Sequence, residues 1–337
     1  MSDPALASDL TAAPSARVHQ LAALCVCLVW PLIWVGGLVT TYDAGMAVPD
    51  WPGTYGYNLF LYPPSTWLSG PFDLFIEHGH RLLAAIVGFV SIGLAIFAYR
   101  SEPRRWVARL AALVLVAVIG QGVLGGLRVV LSDRTLAMIH GCTGPAFFVL
   151  CVITAAVTGR WWLTSAQRSV DVRRRPSRGQ IGWVGLMFAL SYTQLVLGAQ
   201  LRHVQPDTRA SMFAMTIAFH VLTAFILWIA TAVGWAWIRR CGDLTLSRPA
   251  GWLIFFVLVQ ITLGIGTWAV NYGFPDFLNW FPGSEALLLR SKGFVDSIIV
   301  TSHVATGSLI LAICGLLLVR LLRIRFLMQV PSEVSPA

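Results

Sequence analysis

The chain has 337 residues, 57% hydrophobic and only 12% charged, with a mean hydropathy of +0.73. A soluble domain carries about 25% charged residues, so a soluble globular fold is excluded. The net charge of +9 invites a nucleic-acid reading, but the basic residues are distributed as a membrane topology requires.

Apolar runs of about 20 residues, each enough to cross a hydrocarbon core of ~30 Å, recur along the whole chain. In order, spans are predicted at 20–41, 78–99, 106–130, 137–159, 181–202, 214–238, 251–272 and 297–320. The polar start, residues 1–17, has no basic n-region, so the first span reads as retained and not as a signal peptide. That span carries Gly36-Gly37 and leads into a long outer loop, 42–77. The second opens with Glu77-His78-Gly79-His80-Arg81, and the third closes on Gln121-Gly-Val-Leu-Gly125 and Arg128. The fourth holds His140-Gly-Cys-Thr143-Gly144, the fifth ends at Arg202, and the sixth holds His220-Val-Leu-Thr223-Ala224. Gln260-Ile-Thr-Leu-Gly264 in the seventh and His303-Val-Ala-Thr306-Gly307 in the eighth complete the series.

These segments repeat. The offset from His80 to His220 is 140 and from Gln121 to Gln260 is 139, so two landmarks agree on one register. It grows to 163 between His140 and His303 because loop 273–296 is longer than 131–136. Four spans per repeat give both halves the same orientation, a parallel duplication about an axis along the membrane normal. The expected fold is therefore an all-α integral membrane protein, its eight transmembrane helices forming two pseudo-symmetric four-helix bundles. The expected units are a tail at 1–17, a bundle at 18–165, a basic linker at 166–180, a second bundle at 181–322 and a tail at 323–337.

With the N-terminus inside, 17 of the 24 Lys and Arg fall on the inner side, which is the positive-inside bias. Both termini are then expected in the cytoplasm, with a mild attraction to anionic lipid as the side effect. None of the six cysteines lies in a long outer loop, and no C-x-x-C occurs, so neither a structural disulfide nor a dithiol site is signalled. Walker A, H-E-x-x-H and paired-aspartate motifs are missing. No acid sits in mid-span, as an ion-coupled transporter would need.

Four histidines, His80, His140, His220 and His303, lie in the outer half of even-numbered spans. An imidazole in lipid is a functional candidate by default. Pairs of neutral imidazoles facing one another across a bundle suit axial ligation of low-spin haem iron. A small residue four positions after each (Ala84, Gly144, Ala224, Gly307) shares the ligand's face and leaves room for a macrocycle. For any one histidine, a satisfied residue bonding a neighbouring helix is an equal reading; the fourfold set favours ligands. Glu77, three residues before His80, stands on the same face, where by position alone an interfacial acid is the readier explanation. His78 faces elsewhere, toward the loop. Arg81, Arg128 and Arg202 are candidate contacts for anionic propionates, snorkelling being the plain alternative. His203 reads as interfacial and His19 as a solvated flank.

The pieces "GGLVTTYDAGMAVPDWP", "EHGHRL", "QGVLGGLRV", "IHGCTG", "AFHVLTAF" and "TSHVATG", in this order and spacing, resemble the haem A synthase family over about residues 20–322. The resemblance implies oxidation of the C8 methyl of haem O to a formyl group, giving haem A for cytochrome c oxidase. Two hydroxylations and loss of water would do this. It implies haem b as a resident cofactor on His220 and His303, substrate haem O on His80 and His140, and Glu77 as the catalytic or substrate-positioning carboxylate. It implies a bacterial inner-membrane enzyme that works alongside haem O synthase and oxidase assembly factors. Membrane lipid surrounds it, an electron donor is required, and homo-oligomers are compatible with it. Two features depart from the family pattern. No outer-loop cysteine pair is present. Leu38-Val39-Thr40-Thr41 stands where many relatives have an Arg after the Gly-Gly, which makes Arg128 the candidate to replace that contact. The rival reading is a di-haem b-type cytochrome exchanging electrons with quinol; a haem carrier without turnover is the third.

Overall fold

The computed structural model describes residues 15–168, 174–272 and 293–328. The chain is helical: α1 Ala16–Thr41, a short α2 Pro64–Leu68, α3 Phe72–Ser101, α4 Arg105–Val130, α5 Arg134–Thr158, a short α6 Arg160–Arg168, α7 Arg178–Arg202, α8 Ala210–Ile238, α9 Leu244–Tyr272 and α10 Phe294–Leu327. All but α2 and α6 are long and apolar enough to cross a membrane, which makes eight such helices among the described residues. Each contains the corresponding predicted segment or overlaps nearly all of it. The helices run further than predicted, by six residues at the start of α3 and seven at the end of α10, because amphipathic turns continue the helix past the apolar run. The tail before residue 15, linker residues 169–173, outer-loop residues 273–292 with Arg290 and Lys292, and residues 329–337 lie outside the described residues.

Helix starts follow local sequence. Ser177 opens α7 with a capping box: its hydroxyl accepts from the Gln180 amide at 3.1 Å, and the Gln180 side chain accepts from the Ser177 amide at 2.8 Å. The motif satisfies two otherwise orphaned donors where the chain enters the membrane. Asp133 does the same for α5, accepting from Thr135 and Leu136 amides at 2.6 and 3.0 Å.

Among the N-terminal helices, α1 packs on α3 and α5, and α4 packs on both α3 and α5; among the C-terminal ones, α8 and α10 each pack on α7 and α9. α10 also packs against α1 and α5. It is the most enclosed helix, with Leu311, Cys314, Leu317 and Leu321 fully buried. The two largest apolar clusters of the core lie around Val29, Leu94, Phe148 and Leu311 and around Met187, Leu253, Cys314 and Leu317. Large apolar side chains such as Phe89, Val116, Ile119, Ile229 and Ile265 are exposed, as expected of surfaces facing lipid and not water.

Candidate functional site

The four histidines sit on α3, α5, α8 and α10, and each packs against a glycine of the preceding long helix. A Cβ placed on Gly36 would lie 2.9 Å from His80 Cε1, on Gly125 3.3 Å from His140 Cε1, on Gly198 3.2 Å from His220 Cε1, and on Gly264 3.1 Å from His303 Cε1. Any larger residue would push the ring. The small residue expected to leave room for a macrocycle is a different one, four positions after each histidine on its own helix; of these, Gly307 faces the Gln260 amide, which would lie 3.3 Å from a Cβ added there, and Gly144 faces Gln121. Three of the seats close a Q-x-x-L-G motif, which also occurs as Gln194-Leu-Val-Leu-Gly198.

His220 and His303 face each other with ring centroids 6.2 Å apart. His303 Nδ1 lies 3.1 Å from the carbonyl oxygen of Gln260. Carbonyls at the matching positions, Leu32, Gln121 and Gln194, face the other three imidazoles, whose buried Nδ1 atoms make no full hydrogen bond. A carbonyl on the Nδ1 side fixes a ligating imidazole's tautomer and leaves Nε2 for metal. His80 and His140 lie within electrostatic reach of one another, with Arg128 beside both.

The glutamines brace the histidine helices. Gln121 Nε2 donates to Thr143 Oγ1 at 2.6 Å. Gln194 accepts from the Thr223 hydroxyl and donates to the His220 carbonyl at 2.8 Å. Gln260 and Thr306 hold the matching positions, but here the Gln260 amide turns to His303, Nε2 to Nε2 at 3.4 Å, and its Oε1 is buried without a partner. At His80 the same positions are Leu32 and Leu83. Interhelical hydrogen bonds in a membrane contribute about 0.6–2 kcal/mol each, so the His80 helix lacks a tie that the others have available.

What surrounds His80 instead is a charged centre roofed by the long loop. Glu77 is 2% exposed, with Arg81 Nε 3.0 Å from its Oε1 and Arg128 Nη2 3.6 Å from its Oε2. Oε2 has no hydrogen-bond partner. Arg81 also donates to the carbonyls of Asp50, Gly53 and Val48 at 2.7, 2.9 and 2.8 Å. Four of its five N–H groups are thereby committed to protein, so it is chiefly a strut between Glu77 and the loop. His78, buried, bonds Thr54 Oγ1 at 3.0 Å beside Trp67 and Tyr62, which bears out its loop-facing direction. Trp51 lies so close to Gly126 that a Cβ there would come within 2.3 Å of its ring, and Gly45 meets Arg128 in the same way at 2.6 Å. Loop, arginines and His140 seat are thus one contiguous structure.

The loop's own turn is held by Asp50, which accepts from the Tyr55 and Gly56 amides at 2.7 and 2.9 Å. Burial would raise the Asp50 pKa, but these bonds and the Arg81 charge outweigh it and hold the carboxyl below its ordinary 3.8. A lowered value means stabilisation that is complete above the unfolded pKa and fades as pH falls through the folded one. Protection of the Tyr55 and Gly56 amides from hydrogen exchange is therefore expected to persist to below pH 3.8. In Asp50→Asn these two amides are expected to exchange several-fold faster, since charge-assisted bonds are roughly twice as strong as neutral ones. Unchanged exchange in that variant would remove Asp50 from the loop's support.

Arg202, at the end of α7, crosses to the other helix set. Its Nη2 donates to Gly37 O and Thr41 Oγ1, both at 2.6 Å, while Thr41 meets Thr301 of α10 at 3.4 Å. His203 bonds back to Ala199 O at 3.0 Å, in keeping with an interfacial role. His19 is half-buried and bonded to Thr158 Oγ1 at 3.3 Å, so it is a packing residue between α1 and α5 and not a solvated flank.

Eight long apolar helices, four glycine-seated histidines of which His220 and His303 face one another, and a loop-roofed buried carboxylate define a helical membrane protein with polar groups gathered between its helices. The chain matches the family of cytochrome oxidase assembly proteins, COX15-CtaA, over residues 19–216, and it belongs to that family. The match includes Glu77, His80 and His140 and ends before His220. Among relatives, it is similar to a heme A synthase of Shouchella clausii, 27% identical over 216 residues, covering 63% of this chain and 66% of that one. It is also similar to a heme A synthase of Dinoroseobacter shibae, 23% identical over 335 residues and covering 79% and 84% of the two chains. A third, from an Exiguobacterium species, is 25% identical over 261 residues, covering 72% and 80%.

Proposed function

We propose that the chain is a haem A synthase, an integral membrane oxidoreductase that converts the C8 methyl of haem O to a formyl group. The reading rests above all on His220 and His303. Their ring centroids lie 6.2 Å apart, close enough that both imidazoles would hold one haem iron, and the family membership supplies the chemistry class.

In this reading His220 and His303 would hold a resident haem b, and His80 and His140 would hold the substrate. The haem supplies the oxidising chemistry when bound; the protein binds, orients and keeps water out. The Gln260 carbonyl takes the His303 Nδ1 proton and aims its Nε2, while the carbonyls of Leu32, Gln121 and Gln194 face the other three imidazoles. Glu77 Oε2, buried and without a hydrogen bond, is an acceptor placed beside the substrate. With Glu77 ionised, the Glu77–Arg81–Arg128 group carries a net charge of about +1, which suits an anionic propionate. Arg128 and Arg202 are the arginines with donors to offer one. The helices group as an N-terminal substrate bundle, 18–165, and a C-terminal cofactor bundle, 181–322. Both termini face the cytoplasm of a bacterial inner membrane, with haem O synthase and oxidase assembly factors as partners.

The test is co-expression with a haem O synthase, followed by chromatography and mass analysis of extracted haems. Haem A that vanishes in His80→Ala supports the enzyme. Haem B alone, at two per chain, would sink it in favour of a quinol-linked di-haem cytochrome, the reading that the family and relatives already disfavour. The glycine seats give a further expectation. Gly264→Ala crowds His303 by a Cβ at 3.1 Å and is expected to lower C-terminal haem affinity by about 10- to 100-fold, the range for orienting residues around a metal ligand. Haem titration of the purified variant measures this, and wild-type affinity would discount the seat.

A further inference from the structure

From residue 51 to residue 72 the long loop between α1 and α3 contains no Asp, Glu, Lys, Arg or His, yet it holds seven aromatic residues. Trp51, Tyr55, Tyr57, Phe60, Leu61 and Leu68 in this stretch are exposed. We propose that the tip of the loop, residues 58–62, is seated in the bilayer leaflet on the histidine side. Phe60 and Leu61 lie among lipid acyl chains and Tyr55 and Tyr57 at headgroup level, so that lipid closes the outer side of the roof over Glu77.

The tip rests on the lipid-facing side of α3. Phe60 packs on Phe89 with ring centroids 5.9 Å apart. Phe89 belongs to a stripe with Ile86, Ile92 and Ile96 that is exposed along the helix, as side chains facing lipid are. It stands eight residues after Arg81 and eleven before Arg100, with no charge between them. At a rise of 1.5 Å per residue it is about 12 Å along α3 from Arg81, well inside the apolar run. Phe60 and Leu61 are 54% and 75% exposed, a cost in water that acyl chains remove.

A loop at membrane depth needs its backbone donors engaged, and the tip engages several of its own. The Tyr55-Gly56 turn, with φ of 48° and 78°, pairs Thr54 with Tyr57 through two N–H···O bonds of 3.0 Å. The Asn58 side chain accepts from the Phe60 amide at 2.9 Å, and the Asn58 carbonyl accepts from the Leu61 amide at 3.0 Å. Pro63 and Pro64 follow and have no N–H to satisfy. Tyr62 turns inward, buried against His78 at 5.2 Å and beside Tyr55 and Tyr57, so the tip and the Thr54–His78 contact of the roof are one packed unit. A protein partner would need polar contacts around the apolar patch to fix its register, and the side chains of Phe60, Leu61 and Phe89 offer none.

Nanodiscs carrying the full chain test this with two readouts that do not depend on turnover. In Leu61→Cys, labelling by a membrane-impermeant maleimide is expected to be at least about tenfold slower than in Ser132→Cys, at the exposed α4–α5 turn, after subtraction of the wild-type background. The protein itself leaves position 61 open, so protection there comes from what surrounds the protein. In the unsubstituted chain, a phosphatidylcholine with a photoactivatable diazirine on its acyl chain is expected to leave adducts on the peptide containing residues 57–62 and on that containing Phe89. Labelling of Leu61→Cys at the rate of Ser132→Cys would put the tip in water and overturn the proposal. So would protection without acyl adducts on residues 57–62, the result expected of a covering protein or a second copy of this chain.

Discussion

Glu77→Gln is expected to leave the fold and haem content intact and to lower conversion of haem O to haem A by about 100-fold or more, the scale of a lost acid–base group. The substitution keeps the side chain's shape. It leaves the three carbonyls of Val48, Asp50 and Gly53 on Arg81, so the roofing loop stays anchored. What it removes is the charge between Arg81 and Arg128 and the free acceptor at Oε2. Glu77→Ala is the weaker test. It strands two guanidiniums in a buried centre, and breaking such a pair costs about 3–5 kcal/mol, enough to lose activity through misfolding. Single-turnover conversion in Glu77→Gln, with haem O occupancy measured on the same sample, separates chemistry from binding. Wild-type turnover would reduce Glu77 to a partner for the arginines. Lost occupancy with normal turnover per bound haem would make it a propionate-side binding residue.

Most of the helical frame was legible because apolar length is a one-dimensional property: the bilayer sets it, and no partner is needed to read it. The histidines were legible for a related reason, since an imidazole inside such a run stands out by cost alone. The glycine seats were not, although Gln121-Gly-Val-Leu-Gly125 and Gln260-Ile-Thr-Leu-Gly264 were plain as repeats. Knowing that Gly125 faces His140 requires the packing of α4 on α5, which no periodicity gives. Arg81 illustrates the same limit. Its sequence place beside His80 suggested a ligand contact, yet the backbone carbonyls that occupy it come from loop residues about 30 positions earlier. Irregular loops such as 42–71 are fixed by pairings of this kind, Thr54 with His78 and Trp51 with Gly126, and each joins residues far apart in sequence.

His303→Ala and His80→Ala are expected to fail in different ways, although each residue is one member of a histidine pair. His303 faces His220 at 6.2 Å, its Nδ1 is fixed by the Gln260 carbonyl, and its partner's helix is tied by Gln194 to Thr223 and to the His220 carbonyl. In the proposed reading this is the site that keeps its occupant. His80 has Leu32 and Leu83 where the others have Gln and Thr, and in the proposed reading it serves the ligand that must enter and leave. His303→Ala is therefore expected to reduce resident haem b by at least about tenfold, and haem A formation with it. His80→Ala is expected to retain about one haem b per chain while forming no haem A. Pyridine haemochrome stoichiometry together with mass analysis of extracted haems reads both. Equal loss of haem b in the two variants would mean that the sites are interchangeable, and the division of labour drawn from the Leu–Leu and Gln–Thr contrast would then be wrong.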